Sequence, residues 1–254
     1  MHEHYYWLAL RHVFGIGNVL CRQLIEHFGS PERIFQATPE ALQAVEGITA
    51  RASQSIRGFT ASPEMEQELE LLAAKKIRIV TWADREYPVQ LKNIYDPPPF
   101  LYVNGKITLD DALAVAVVGS RSASEYGRKV TEDLSRSFAA QGITVISGMA
   151  RGIDSCAHYG ALAGRGRTIA VLGSGVDVVY PPENKKLYDA IAAAGAIVSE
   201  YPPGTEPSSY HFPARNRIIS GMSRGVLVVE ASPKSGSLIT ARLALEQGRD
   251  VFAV

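Results

Sequence analysis

Four short stretches of this chain gather glycine and serine, three of them with a cation, in the combination that cradles a phosphate. They are Gly119-Ser120-Arg121-Ser122, Ser147-Gly148-Met149-Ala150-Arg151-Gly152, Gly173-Ser174-Gly175 and Ser232-Pro233-Lys234-Ser235-Gly236-Ser237. Glycine lets backbone N–H groups approach an anion, serine adds a hydroxyl donor, and arginine adds a two-pronged charge. The candidate phosphate or nucleic-acid contacts are therefore Gly119, Ser120, Arg121, Ser147, Gly148, Arg151, Gly152, Gly173, Lys234, Ser235, Gly236 and Ser237. A fifth stretch, Tyr210-His211-Phe212-Pro213-Ala214-Arg215-Asn216-Arg217, adds Phe212, Arg215, Asn216 and Arg217. An aromatic face beside cations suits a sequence-tolerant single strand, because every nucleotide offers a phosphate and a base face. The bland alternative makes Tyr210 and Phe212 core residues and pairs the arginines with Glu200 or Glu230. The expectation is a mixture, with one arginine supporting the loops and the other facing ligand.

Several enzymatic readings lose ground on spacing. Gly119 is followed by Ser-Arg-Ser-Ala-Ser-Glu rather than the glycines of GxGxxG, and no acidic residue is placed for a ribose, so a dinucleotide site is disfavoured. No GxxxxGK[ST] occurs, which disfavours a Walker-type ATPase. His158 and His211 have no nucleophile at a recognisable spacing, so no catalytic residue is assigned. Cys21 and Cys156 form no CxxC pair and read as core thiols, leaving no metal site and no cofactor.

The elements that must hold these loops are legible in the hydrophobic pattern. Apolar, β-branched runs at 115–118, 144–147, 168–172, 196–199, 226–230 and 251–254 alternate with helical stretches near 126–140, 154–163, 183–194, 214–221 and 238–247. Strands apolar on both faces that alternate with helices predict an α/β fold, an extended Rossmann-like, doubly wound, mostly parallel sheet. In such a sheet ligands bind beyond the carboxyl ends of the strands, where all four loops fall. A helix at 63–76, a strand at 77–80 and a proline-rich connection through Tyr87-Pro88 and Asp96-Pro97-Pro98-Pro99 come before it.

Residues 1–65 read as a small all-helical domain of the helix-hairpin-helix (SAM-like) kind, leaving 66–254 for the Rossmann-like domain. Its turns at Gly15-Ile16-Gly17 and Gly47-Ile48-Thr49 each open a helix whose free N–H groups can meet a DNA phosphate. They equally suit ordinary helix packing, since no lysine follows the Gly-Ile-Gly. The 254 residues balance 26 Lys+Arg against 26 Asp+Glu, so any attraction for nucleic acid must be local. No apolar run is long enough for a signal peptide or a membrane span, and a cytoplasmic location is expected.

The succession VAVVGSRSASEYGR, VISGMARGIDSCAHYGAL, TIAVLGSGVDVVYPPENKKLY and SEYPPGTEPSSYHFPARNRIISGMSRGVLVVEASPKSGSLITARLALEQGRDVFAV closely resembles the bacterial DNA-processing protein A (DprA or Smf) family. The resemblance covers residues 80–254. It implies a non-enzymatic protein of natural transformation that binds and protects incoming single-stranded DNA, forms a homodimer and helps load RecA. It also implies that the Gly119-Ser120-Arg121 turn, Arg151, the Arg215/Arg217 segment and Lys234 line the DNA pocket, with an aromatic nearby for a base. Many family members carry a C-terminal winged-helix domain after the Rossmann-like domain. Candidate dimer surfaces are 214–221 and 238–247. The rival is a small-molecule protein using the same cradle, like the distantly similar phosphoribohydrolases. Their PGGxGTxxE signature supplies a catalytic glutamate, and the stretch from Pro233 to Ala241 has none. A third possibility is a duplex-DNA protein working through the hairpins.

Overall fold

The structure, a computed structural model, describes residues 4–233 and 235–254. The N-terminal helices are α1 (Tyr5–His12), α2 (Asn18–Phe28), α3 (Pro31–Gln36), α4 (Pro39–Gln43), α5 (Ala50–Arg57) and α6 (Pro63–Lys75). Their starts follow a repeated device. Ser30, Thr38 and Ser62 each accept a hydrogen bond from a backbone N–H of the first turn, and each is followed by proline, whose missing N–H costs nothing there. Leu10, Leu24, Ile34, Leu42, Ile48 and Ile56 close a core between the hairpins. Leu8 and Ala9 of α1 turn instead toward the sheet, sharing a cluster with Met65, Leu72, Phe100 and Tyr102. At this junction Glu68 is buried and takes hydrogen bonds from Arg11 (2.5 Å), His12 (3.1 Å) and the Tyr102 hydroxyl.

The rest of the chain forms one sheet. Its strands are β1 (Arg78–Thr81), β2 (Phe100–Gly105), β3 (Ala114–Gly119), β4 (Thr144–Ser147), β5 (Thr168–Val171), β6 (Ala196–Ser199), β7 (Gly225–Val229) and β8 (Asp250–Ala253). The helices are α7 (Val89–Lys92), α8 (Glu125–Ala140), α9 (Ile153–Ala163), α10 (Lys185–Ala194), α11 (His211–Gly221) and α12 (Gly236–Glu246). Strand order is β1-β2-β6-β5-β4-β3-β7-β8, with β6 through β8 parallel and β1 and β2 antiparallel. From β3 the chain winds one way to β6, then returns to place β7 on the other side of β3. That reversal splits the crossovers and opens a crevice at the carboxyl ends of β3 and β7.

β2 was not anticipated. Phe100–Gly105 follows three prolines, which mask the apolar run Phe100-Leu101-Tyr102-Val103; it pairs with β1 on one side (Ile79 with Tyr102) and with the remote β6 on the other (Tyr102 with Ser199). α11 begins at His211, three residues ahead of the expected start, because Pro213 falls in the first turn where an N–H has no intrahelical acceptor. β7 stops at Val229, since Glu230 takes a left-handed backbone conformation with φ of 51°.

Candidate nucleic-acid interface

A crevice of about 830 Å³ lies at the β3/β7 switch point. The β3–α8 loop supplies Ser120 and Arg121, the start of α12 supplies Ser235, Gly236 and Ser237, and Arg215 and Asn216 of α11 line it beneath. Gly119 ends β3 where an added Cβ would lie 1.9 Å from the Val229 carbonyl oxygen, so only glycine lets the two strand ends close. A smaller lobe under the β4 and β5 loops is lined by Gly148, Arg151, Gly173 and Tyr180, and Arg121, Phe212 and Arg215 border both spaces.

Two glycines expected to meet phosphate make room for side chains. A Cβ on Gly148 would lie 2.6 Å from Arg215 Nη2, and one on Gly173 would lie 2.9 Å from Phe212 Cδ1. These vacancies seat the guanidinium and the ring. Arg215 donates from Nη1 to the Gly148 carbonyl at 2.9 Å and to the Val171 carbonyl, and from Nε to Asn216 Oδ1 at 3.2 Å. Burial draws its pKa down to about 10, against the opposing pull of Asp154. Asp154 Oδ2 accepts from the N–H groups of Gly148 (3.2 Å) and Ala150 (3.3 Å), and burial raises its carboxyl above the ordinary value. Asn216 Nδ2 donates to the Gly236 carbonyl at 3.3 Å, tying α11 to the start of α12.

Cation and aromatic surfaces meet at the rim. The Arg121 guanidinium stands 5.6 Å from the centroid of Phe212, and Phe212 stacks on Tyr180 with ring centroids 5.6 Å apart and planes 29° from parallel. Tyr180 was missed from sequence. Its signal was an aromatic next to proline in the loop after β5, the same sheet edge as the glycine loops.

Other expected contacts lie elsewhere. Ser147 is wholly buried and donates to the Val117 carbonyl at 2.6 Å, because the last residue of β4 points into the sheet core. Gly152, with φ of 74°, packs against Ser120, where a Cβ would sit 2.3 Å from the carbonyl oxygen. Arg217 turns away to Glu200 and Asp96 and does not line the crevice. Arg151 does stay at the site, on the wall of the smaller lobe, where it is exposed and pairs with Glu183. Lys234 lies outside the described residues.

The hairpins pack on each other. Phe14 of the first lies 4.5 Å beneath the Arg51 guanidinium of the second, and Leu20 reaches Gly47. Thr49 accepts the Ala52 N–H at 3.1 Å and so fills the start of α5. Cys21 and Cys156 are free and buried. Among the described residues no group of His, Cys, Asp and Glu is placed to hold a metal, and no helix is long and apolar enough to cross a membrane.

Fold and site together define a Rossmann-type α/β protein with a crevice lined by glycine, serine and arginine, fronted by paired helical hairpins. Comparison with known proteins narrows this. Residues 78–254 match the family described as DNA recombination-mediator protein A, and residues 5–69 match a helix-hairpin-helix motif. The chain belongs to that family, whose members are the DprA and Smf proteins. It is 44% identical to the Smf protein of Synechocystis sp. over 99% of this chain and 64% of that one, and 43% identical to DprA of Bacillus subtilis over 76% of this chain and 65% of that one. It thus spans about two thirds of these relatives' length. The crystal structure of DprA from Streptococcus pneumoniae superposes with a TM-score of 0.83 at 36% identity, covering 98% of this chain and 86% of that one. A structure reported for the single-stranded DNA binding mode of Helicobacter pylori DprA gives a TM-score of 0.63 at 34% identity, over 69% of this chain and 80% of that one.

Proposed function

We propose that this chain binds single-stranded DNA along the crevice and acts as a cytoplasmic recombination mediator, a homodimer that protects incoming strands and helps load RecA. The observation that carries the reading is the Arg121–Phe212–Tyr180 column, a guanidinium and two aromatic rings in contact at the mouth of the crevice. Phosphate charge and base face can be met together there, without reading sequence. The single-strand binding named for the Helicobacter pylori relative supports the choice of ligand.

Titrating a fluorescent oligo-dT at several salt concentrations tests this. Three or four phosphate contacts per protomer give a slope of about −2 to −3 in log K against log salt. Arg121→Ala should weaken unrelated sequences alike and reduce the slope by about 0.7. Salt-independent affinity, or duplex bound as tightly as single strand, would overturn the reading. Loading is read by RecA nucleation on oligo-dT with and without the protein.

A further inference from the structure

In doubly wound folds the pyrophosphate of a nucleotide sits at the N-terminus of the helix that follows the first strand of the switch point. Here that helix is α8, and its N-terminus is already filled. Glu230, one residue past the end of β7, reaches across so that Oε2 accepts the Ser124 N–H at 2.8 Å and Oε1 accepts the Ser124 hydroxyl. Two further features show that the chain is built around this contact. Glu230 holds a left-handed backbone with φ of 51°, uncommon for a non-glycine residue. Gly127, in the first turn of α8, leaves space for the carboxylate: a Cβ there would lie 2.5 Å from Glu230 Cδ.

Ahead of α9 a second carboxylate is turned on the backbone: Asp154, in the first turn, accepts the N–H groups of Gly148 and Ala150 in the preceding loop. α12 differs, being capped by the Ser235 hydroxyl, which accepts the Ser237 N–H at 3.3 Å. Of the three helix starts around the crevice, that of α8 is thus, among the described residues, the one met by a carboxylate from another element.

We infer that Glu230 is a specificity-determining residue that reserves the crevice for a phosphodiester chain and turns away free nucleoside polyphosphates. A diphosphate concentrates several negative charges in one place, and its home in this fold is the start of α8, where it meets Glu230. A nucleic-acid strand carries one charge per nucleotide and can follow Arg121, Arg215 and the start of α12 without entering that position. Hydrogen bonds from Ser124 hold the Glu230 carboxyl below its ordinary pKa, which keeps the repelling charge in place at neutral pH. The inference rests on the crevice being the ligand site, but it concerns a different ligand and a different helix start.

Calorimetric titration with ADP and with inorganic pyrophosphate tests it on the wild type, Glu230→Gln and Glu230→Ala. The wild type should show no saturable binding, whereas Glu230→Ala should bind both at least about tenfold more tightly and Glu230→Gln should fall between. Glu230→Gln keeps the size of the side chain and a group to pair with Ser124, so it carries the test if the alanine variant does not fold. Saturable ADP binding by the wild type overturns the proposal, as does the absence of any gain in a variant whose circular dichroism and melting match the wild type. Oligo-dT binding by the wild type is measured in parallel. Its failure would remove the single-strand reading while leaving the ADP comparison intact, and the converse also holds.

Discussion

Arg217 turns both arms of its guanidinium onto the Glu200 carboxylate, with Nη1 3.0 Å from Oε1 and Nη2 2.6 Å from Oε2, while its Nε reaches Asp96 at 2.8 Å. Arg215 stands two residues earlier on α11. At about 100° per residue the two side chains leave the helix on opposing sides, so only Arg215 lines the crevice. Arg217 instead fastens α11 to the end of β6 and to the proline-rich connection.

This division predicts opposite effects for two arginines. Arg217→Ala leaves the partly buried Glu200 without its partner and should cost about 2 kcal/mol in urea unfolding, with the salt slope of oligo-dT binding unchanged. Arg121→Ala should lower affinity and slope with little effect on unfolding. A reduced slope in the folded Arg217 variant would place that side chain on DNA and overturn the division.

Acid should destabilise the fold through His158. The ring is wholly buried, with Nδ1 2.7 Å from Thr168 Oγ1, and burial followed by the charge of Arg215 drives its pKa from 6.5 down to about 3. The unfolded chain takes up this proton near pH 6.5 and the folded chain does not, so stability complete above that pH is lost as pH falls toward 3. The slope approaches about 1.4 kcal/mol per pH unit. Glu68 adds to the acid end of this window: burial alone would raise its carboxyl, but His12, Arg11 and Tyr102 outweigh burial and hold it low. Asp154 and Glu200, raised by burial, act in the opposite sense. Comparison with His158→Gln isolates the histidine, because glutamine can donate to Thr168 but does not titrate. Equal slopes between pH 6.5 and 4 in the two proteins would show that His158 does not carry the effect.

Gly148→Ala tests whether the seat of Arg215 matters. Three guanidinium atoms would lie within 2.7 Å of the new Cβ, and Arg215 is held by two carbonyl oxygens with little room to retreat. The expected outcome is a melting midpoint lower by several degrees and oligo-dT binding weaker by about tenfold. Unchanged binding in a folded variant would show that the strand does not depend on Arg215.

What the sequence disclosed, and what it withheld, follows from how local each signal is. The runs Ala114–Gly119, Thr168–Val171 and Gly225–Val229 are apolar on both faces and bounded by turns, so their parallel pairing and the loops at their ends could be read directly. β2 escapes that reading because it directly follows Pro97-Pro98-Pro99, and its place between β1 and the remote β6 is set by tertiary pairing. That Arg215 and Arg217 leave α11 on opposing sides was accessible from helical geometry, but the expected division, one arginine supporting the loops and the other facing ligand, is not the one found: Arg215 both holds the Gly148 and Val171 carbonyls and lines the crevice, while Arg217 pairs with Glu200 and Asp96. The roles of Gly148 and Gly173 were not accessible. A glycine that admits a phosphate and one that admits a neighbouring side chain look identical in sequence.

Tyr180 yields the sharpest test of the base-stacking half of the site. Phe212 already has Arg121 and Arg215 at 5.6 and 5.9 Å from its centroid and Tyr180 stacked against it, whereas the Tyr180 side chain is 41% exposed. The free aromatic face is therefore that of Tyr180. Tyr180→Ala should weaken an ordinary oligonucleotide by about tenfold, within the range of one lost base stack, and leave an abasic oligonucleotide of equal length unaffected. The salt slope should not change, since stacking releases no counterions. Tyr180→Trp should restore affinity by restoring the ring. An equal loss on the abasic strand would mean that Tyr180 acts by shaping the loop that carries Arg151, not by meeting a base.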